Sequence, residues 1–353
     1  MRTTTLTISV ILALALIAGC GGGGGGGDQG GGDQGGGESD IRPGLVLDVG
    51  GLGDQGFNDS AYAGLERAEK DLGVKGDYLE STAPTDYTDN LTQFAESGFN
   101  PVIAVGFAMT EDLTEISQQF PETQFAIVDS VVDTPNTMGL VFREQEGSYL
   151  AGVVAGLMTQ EDTEYTTSDE KVVGFLGGQT GPVIERFQAG YEAGVESVCP
   201  DCEVLVKYTG STVNAYNDPA RGKEISLQQI SQGADIIYHA AGNTGAGLFD
   251  AAKQEKIFAI GVDLDQAELF PESPILTSVV KRVDNAVYQT IKGVSEGEQP
   301  KGTTVDRGLK EGGISLAPFG RFDDVVPQEV KDEVDKAREG IINGDIKVPD
   351  KPQ

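Results

Sequence analysis

The sequence predicts an α/β protein of two lobes, each built on a doubly wound parallel sheet, joined by a hinge that the chain crosses more than once. Three observations carry this reading. Short β-branched runs alternate with longer stretches of helical periodicity from residue 45 to residue 342. Most of the strand-like runs are apolar at nearly every position, as strands buried on both faces are, which implies parallel sheets covered by helices. The alternation halts at a polar stretch, 160–171 (QEDTEYTTSDEK), and then restarts.

Residues 45–49 (LVLDV) read as the first strand, and 60–72 follow as a helix with Tyr62, Leu65, Ala68 and Leu72 on one face. A strand at 102–105, a helix through Leu113 and Ile116, strands at 124–128 (QFAIV) and 139–142, and a strongly apolar helix at 147–158 complete the first run. The second run has strands at 172–176 (VVGFL), 204–208, 235–238 and 257–262, with helices at 183–195, 222–230 and from Thr244 between them. The tail adds a strand at 275–280, a helix at 283–293 and a closing helix at 330–342. These last elements are expected to return and complete the lobes, so that 42–160 with 264–295 form the first and 161–263 with 296–350 the second. Several crossings make a hinge, and a hinge between two α/β lobes is a clamp. Ligands of such sheets sit beyond the C-terminal ends of the strands, which in a clamp face one cleft.

Ahead of the lobes, residues 1–20 read as a lipoprotein signal peptide. The apolar run from Leu6 to Ile17 follows Arg2 and is shorter than the roughly 20 residues a spanning helix needs. It ends in Ile17-Ala18-Gly19-Cys20, which resembles a bacterial-type lipobox in which Cys20 is acylated and becomes the new N-terminus. Residues 21–41 are mostly glycine, and 21–40 have nothing apolar to bury, so they are expected to form a disordered tether reaching on the order of 25 Å. A single acyl chain binds a bilayer marginally, so two or more are expected on Cys20, with the outer face of the cell membrane met through the lipid alone. The formal charge of −31 repels nucleic acid and anionic headgroups, and its even spread is that of a solvated acidic surface. Apart from Cys20 the cysteines are Cys199 and Cys202, in Cys199-Pro200-Asp201-Cys202. Outside the cell a local disulfide is expected there, since zinc would need two further ligands.

Gly51-Leu52-Gly53-Asp54-Gln55-Gly56 matches G-x-G-x-x-G between a strand and a helical pattern. A dinucleotide site is disfavoured because Asp54 puts a negative charge where the pyrophosphate would lie, and because 57–59 are read as separating the last glycine from the helix. The loop reads instead as a binding loop. Asp48-Val49-Gly50-Gly51…Asp54-Gln55-Gly56-Phe57-Asn58…Gly64 resembles the opening of the basic membrane protein (BMP, PnrA-like) family, with Gly56 where that family usually has Ser. The resemblance continues through Val105-Gly106-Phe107, Ile127-Val128-Asp129, Gly177-Gly178…Phe187…Gly190-Tyr191 and Asn217-Asp218-Pro219-Ala220. It then runs through Ala240-Ala241-Gly242, Ile260-Gly261-Val262-Asp263…Asp265-Gln266 and Thr277-Ser278…Lys281, covering roughly residues 45–295. It implies a lipoprotein substrate-binding component of an ABC transporter with a type I periplasmic-binding fold. It also implies a purine nucleoside as ligand, a permease and an ATPase as partner chains, a monomer, and no cofactor.

A nucleoside needs flat apolar faces against its base, polar groups in the plane of the base edge, and a carboxylate for its ribose hydroxyls. Phe57 and Tyr216 are the candidate stacking rings, although residues inserted around 212–215 blur the alignment of the second. Asn58 and Asp129 are candidates for the base edge and Asp263 for the ribose, while Lys281 would offset the buried carboxylates. Asp54 and Asn243 are candidates for further polar contacts. Each also has a structural alternative, such as a helix cap or lobe packing. Catalysis is not expected, because His239 is the sole histidine and can build neither a metal centre nor, on any local motif, a Ser–His pair. Two other readings remain: the same clamp taking a sugar or signalling metabolite, and an extracellular nucleoside hydrolase, whose aspartate cluster Asp48, Asp54 and Asp59 do not reproduce.

Overall fold

The structure, a computed structural model, describes residues 41–352 except 168, 170, 300 and 301. The expected lipidation site Cys20 and nearly all of the tether lie outside the described residues. The chain runs β1 (Gly44–Leu47), α1 (Phe57–Leu72), β2 (Asp77–Glu80), α2 (Tyr87–Glu96), β3 (Val102–Val105), α3 (Thr110–Gln119), β4 (Phe125–Val128) and β5 (Thr137–Phe142). After α4 (Glu144–Met158) the pattern repeats as β6 (Val172–Gln179), α5 (Pro182–Val198), β7 (Glu203–Gly210), α6 (Pro219–Ile230), β8 (Ala234–Ala240), α7 (Gly245–Glu255), β9 (Phe258–Asp263), the short α8 (Gln266–Leu269) and β10 (Ile275–Lys281). The tail supplies α9 (Val283–Ser295), β11 (Thr304–Arg307), β12 (Ile314–Leu316) and α10 (Gln328–Asn343).

The strands form two six-stranded sheets of matching order, β11-β5-β4-β3-β1-β2 and β12-β10-β9-β8-β6-β7. Every pairing is parallel except that of β12 with β10. All four residues of β1, β3 and β4 are buried, as their unbroken apolar sequences require of strands covered on both faces.

The tail is distributed differently from the expected lobe boundaries. β10 stays beside β9 in the second sheet, because α8 is a short connection and consecutive strands tend to remain neighbours. α9 then packs on α1 of the first lobe, and β11 extends the first sheet beside β5. α4 also changes lobe: it lies along α5, backbone against backbone. A Cβ on Gly152 would stand 2.2 Å from the Tyr191 carbonyl oxygen, and one on Gly194 2.1 Å from that of Tyr149. The first lobe therefore comprises the elements up to β5 with α9 and β11, and the second those from α4 to β10 with β12 and α10.

The chain crosses between lobes at Arg143, at Arg282 and between β11 and β12. The crossings are laced together: Arg143 N donates to Arg307 O and Arg282 N to Gly313 O, each at 2.9 Å. Leu309 N reaches Glu146 Oε2 at 2.7 Å.

Candidate functional site

The C-terminal ends of the two sheets face one another across a cavity of about 670 Å3 of empty space, part of it open to solvent. All the candidate residues line it: Asp54, Phe57, Asn58 and Asp129 from the first lobe, and Tyr216, Asn243, Asp263 and Lys281 from the second. The structure adds Asp48, Phe107 and Phe187 to the wall, and Glu144 and Arg186 just behind it.

The glycine-rich loop is shaped by carboxylates. α1 begins at Phe57, directly after Gly56, so residues 57–59 are its first turn and do not hold the glycine away from the helix as expected. What closes the helix N-terminus to a phosphate is Asp54. Its Oδ1 accepts from the backbone N–H groups of Gly56 (3.0 Å) and Asp59 (3.2 Å), and its Oδ2 from that of Asn58 (2.8 Å). Asp54 is thus committed to the loop, although it lines the cavity. Asn58 does not cap the helix. Its amide nitrogen donates to Asp48 Oδ1 at 2.8 Å and Asp54 Oδ2 at 3.0 Å, which fixes the amide with Oδ1 buried and unpartnered. Asp48 also accepts from Gly50 N at 2.9 Å, and burial pushes its carboxyl up to about 6. The sequence signal for Asp48 was its place immediately after an apolar strand.

Aromatic rings enter from both lobes. Phe57 begins α1 and Phe107 follows β3; Phe187 lies on α5, and Tyr216 lies in a short 3-10 turn after β7. Phe107 meets Tyr216 edge-on across the cleft, with ring centroids 6.4 Å apart. The Lys281 ammonium lies 5.4 Å from the Phe57 ring centroid, 5.6 Å from Phe187 and 5.0 Å from Phe142. Asn243 stands at the rim, its amide nitrogen donating to Asn217 Oδ1 at 2.7 Å.

Lys281 is 1 % exposed and links the lobes through charge. Its Nζ is 2.6 Å from Asp129 Oδ1 and 2.9 Å from Glu144 Oε1, and Glu144 Oε2 is 2.5 Å from Arg186 Nε. Burial would lower the Lys281 pKa, but Asp129 and Glu144 hold it raised. Burial raises that of Asp129 against the pull of Lys281. These two cations and two anions balance, leaving Asp48, Asp54 and Asp263 as further carboxylates.

Asp263 is the one without a hydrogen-bond partner among the described residues. Burial pushes its carboxyl up to about 7, with Lys281 opposing the shift. Asp129 and Asp263 occupy equivalent places, just past β4 and at the end of β9, and both are left-handed, with φ of 67° and 66°. Aspartate is among the few residues that tolerate this conformation. Neither caps the following element; α8 is capped by Asp265.

His239 is fully buried beneath the cleft, and burial lowers its pKa to about 4. Cys199 and Cys202 form a disulfide with Cα atoms 5.3 Å apart. No cluster of three or more metal-ligating side chains occurs among the described residues.

A family model described as an ABC transporter substrate-binding protein, PnrA-like, matches residues 42–352. An ABC transporter nucleoside-binding protein of Lactococcus lactis is 33% identical over 95% of both chains. An uncharacterised lipoprotein of Pyrococcus horikoshii is 35% identical over 86% of this chain and 78% of its own. The crystal structure of an ABC transporter system solute-binding protein from Aeropyrum pernix superposes with a TM-score of 0.78 at 29% identity, covering 88% of this chain and 94% of that one.

Proposed function

Because the chain belongs to the PnrA-like family of ABC transporter substrate-binding proteins, we propose that its interlobe cleft captures a purine nucleoside for import. The observation that carries the ligand assignment is Asp263, a buried carboxylate with no hydrogen-bond partner among the described residues, set opposite an acceptor edge formed by Asn58 Oδ1 and Asp48 and flanked by aromatic rings from both lobes. A ribose presents two vicinal hydroxyl donors, which a single carboxylate can accept. A purine offers N–H donors on its edge and two flat faces, which suit Asn58 and Asp48 on one side and Phe57, Phe107, Phe187 and Tyr216 on the others. Lys281 then holds Asp129 in place and keeps the wall from carrying an uncompensated charge. The nucleoside-binding name of the Lactococcus relative supports the same assignment.

In this reading Cys20 carries the lipid anchor on the outer face of the membrane, as the lipoprotein name of the Pyrococcus relative supports. A permease with its ATPase takes the ligand from the cleft, and the protein itself performs no reaction. Titration calorimetry with adenosine, guanosine and inosine in high salt, on protein stripped of co-purified ligand, tests the assignment. Binding of at least one is expected, and absence of heat from all three with the protein shown to be folded refutes it. A sugar could also satisfy Asp263, but it has no flat base to stack against Phe57, Phe107, Phe187 and Tyr216. Incubation with inosine is expected to release no free base.

A further inference from the structure

The sole histidine and the glutamine of the Asp263…Gln266 motif have no part in the site described above, yet both are buried directly beneath it, His239 at 0 % and Gln266 at 3 % exposure. Gln266 Oε1 accepts from the backbone N–H of Val262 at 2.9 Å, which identifies that atom as the oxygen. His239 Nε2 lies 2.9 Å from the same oxygen and must therefore carry the proton. Its Nδ1 is bare and has no partner. The Gln266 backbone N–H is held by Ser278 Oγ at 3.1 Å. With its oxygen and its backbone both fixed from within the second lobe, the side chain has one free direction. Its Nε2 donates across the cleft to the carbonyl oxygen of Gln55 in the first lobe, at 3.1 Å.

Gln55 is the residue at which the glycine-rich loop turns. It is a non-glycine residue at φ 52°, and its own N–H is tied to Asp59 Oδ2 at 2.9 Å. The loop is thus gripped by Asp59 from its own lobe and by Gln266 from the other. Just beyond it in the chain, Phe57 and Asn58 contribute to the aromatic and polar wall of the cavity.

We propose that Gln266 is a positioning residue that latches the closed clamp, and that His239 orients its amide so that the donor faces Gln55. The bond exists only when the lobes meet, so it acts on the lifetime of the closed complex. Ligand-free molecules also visit this closed arrangement, where the same bond raises its share, while association starts from those with the lobes apart and changes little. The proposal rests on the cleft being the ligand site and does not depend on which solute fills it.

Gln266→Glu isolates the interlobe bond. A carboxylate keeps the oxygen that receives Val262 and His239 but presents an acceptor to the Gln55 carbonyl. Gln266→Met removes the donor without adding charge. Stopped-flow measurement with guanosine at pH 8 is expected to show dissociation about tenfold faster in both variants, with association within about twofold of the parent. Ligand-free melting curves of both variants, taken alongside, establish that each is folded. Dissociation within twofold of the parent in both variants overturns the latch. So does faster dissociation in the glutamate variant alone, which would mark an effect of charge. If guanosine does not bind the parent protein, the nucleoside reading fails, and small-angle scattering of the ligand-free protein decides the latch. A larger radius of gyration for Gln266→Glu than for the parent then supports it, and equal radii overturn it.

Discussion

Replacing Lys281 by methionine should expose how strongly the buried charge cluster depends on one ammonium. The substitution conserves most of the side-chain volume, so the cost is electrostatic. Asp129 loses its partner at 2.6 Å, whereas Glu144 loses one at 2.9 Å but keeps Arg186 at 2.5 Å. Removing one partner of a buried ion pair costs about 3–5 kcal/mol, and the survival of the Glu144–Arg186 pair argues for the lower end, about 3 kcal/mol. At about 2.1 cal/mol/K of unfolding entropy per residue, roughly 310 folded residues give about 0.65 kcal/mol/K, so the melting temperature should fall by about 5 °C. The loss should depend on pH. Burial already raises the Asp129 pKa against the pull of Lys281, and without Lys281 it rises further. A carboxyl whose folded pKa lies above its unfolded one binds more protons when folded, so the variant loses stability as pH rises through that window. The gap from the parent should be small near pH 4.5 and complete at pH 8, and added salt should change it little because the pair is buried. Calorimetric melts at the two pH values provide the test. A loss below about 1 kcal/mol at pH 8, or an equal loss at both pH values, would refute the reasoning.

Other expectations follow from the same geometry. Asp263→Asn should weaken nucleoside binding by about tenfold to a hundredfold, the worth of hydrogen bonds to a charged acceptor, as read by calorimetry. The Asp263 carboxyl is raised from 3.8 to about 7, so ligand-free stability should fall as pH rises between those values and level off above, and Asp263→Asn should flatten that slope in melts across the range. Hydroxyl donors favour the ionised carboxylate, so binding near pH 6.5 should release protons, visible as binding heats that differ between buffers of different ionisation enthalpy. Gly152→Ala should destabilise the protein by about 1–3 kcal/mol in urea titrations, because α4 and α5 must part to admit a methyl group.

The two-sheet architecture was legible because its central strands are unbroken apolar runs, which leave no other place for them than a covered parallel sheet. The elements that escaped are those whose sequence carries no such mark. β2 is Asp77-Tyr78-Leu79-Glu80, an edge strand with exposed ends, and β12 has only three residues. α2 is a different case, since Tyr87, Leu91, Phe94 and Ala95 do bury one helical face, and the spacing was there to be read. The lobe boundaries failed for a physical reason: which sheet a returning strand joins depends on tertiary neighbours. The candidate residues were legible through their places at strand ends and in the loop. Glu144 and Arg186 were not, because a charged residue near a helix start reads as surface until its ion-pair partners in the folded lobe are seen beside it.

The matching of the two lobes explains why the cleft has one open carboxylate. β4 and β9 hold the same position in their sheets, and each leads to a left-handed aspartate, Asp129 or Asp263. The neighbouring strands β5 and β10 are also equivalent, each ending one residue before an arginine at a crossing, but the last residue is Phe142 in one and Lys281 in the other. The second lobe therefore supplies a cation that neutralises the aspartate of the first. The first lobe supplies an aromatic ring at the corresponding place and leaves the aspartate of the second without a partner. A buried carboxylate in that state must take up a proton or find donors elsewhere. Breaking the symmetry at this single pair of positions converts two similar lobes into a clamp with one open carboxylate, the group that the proposed nucleoside would engage.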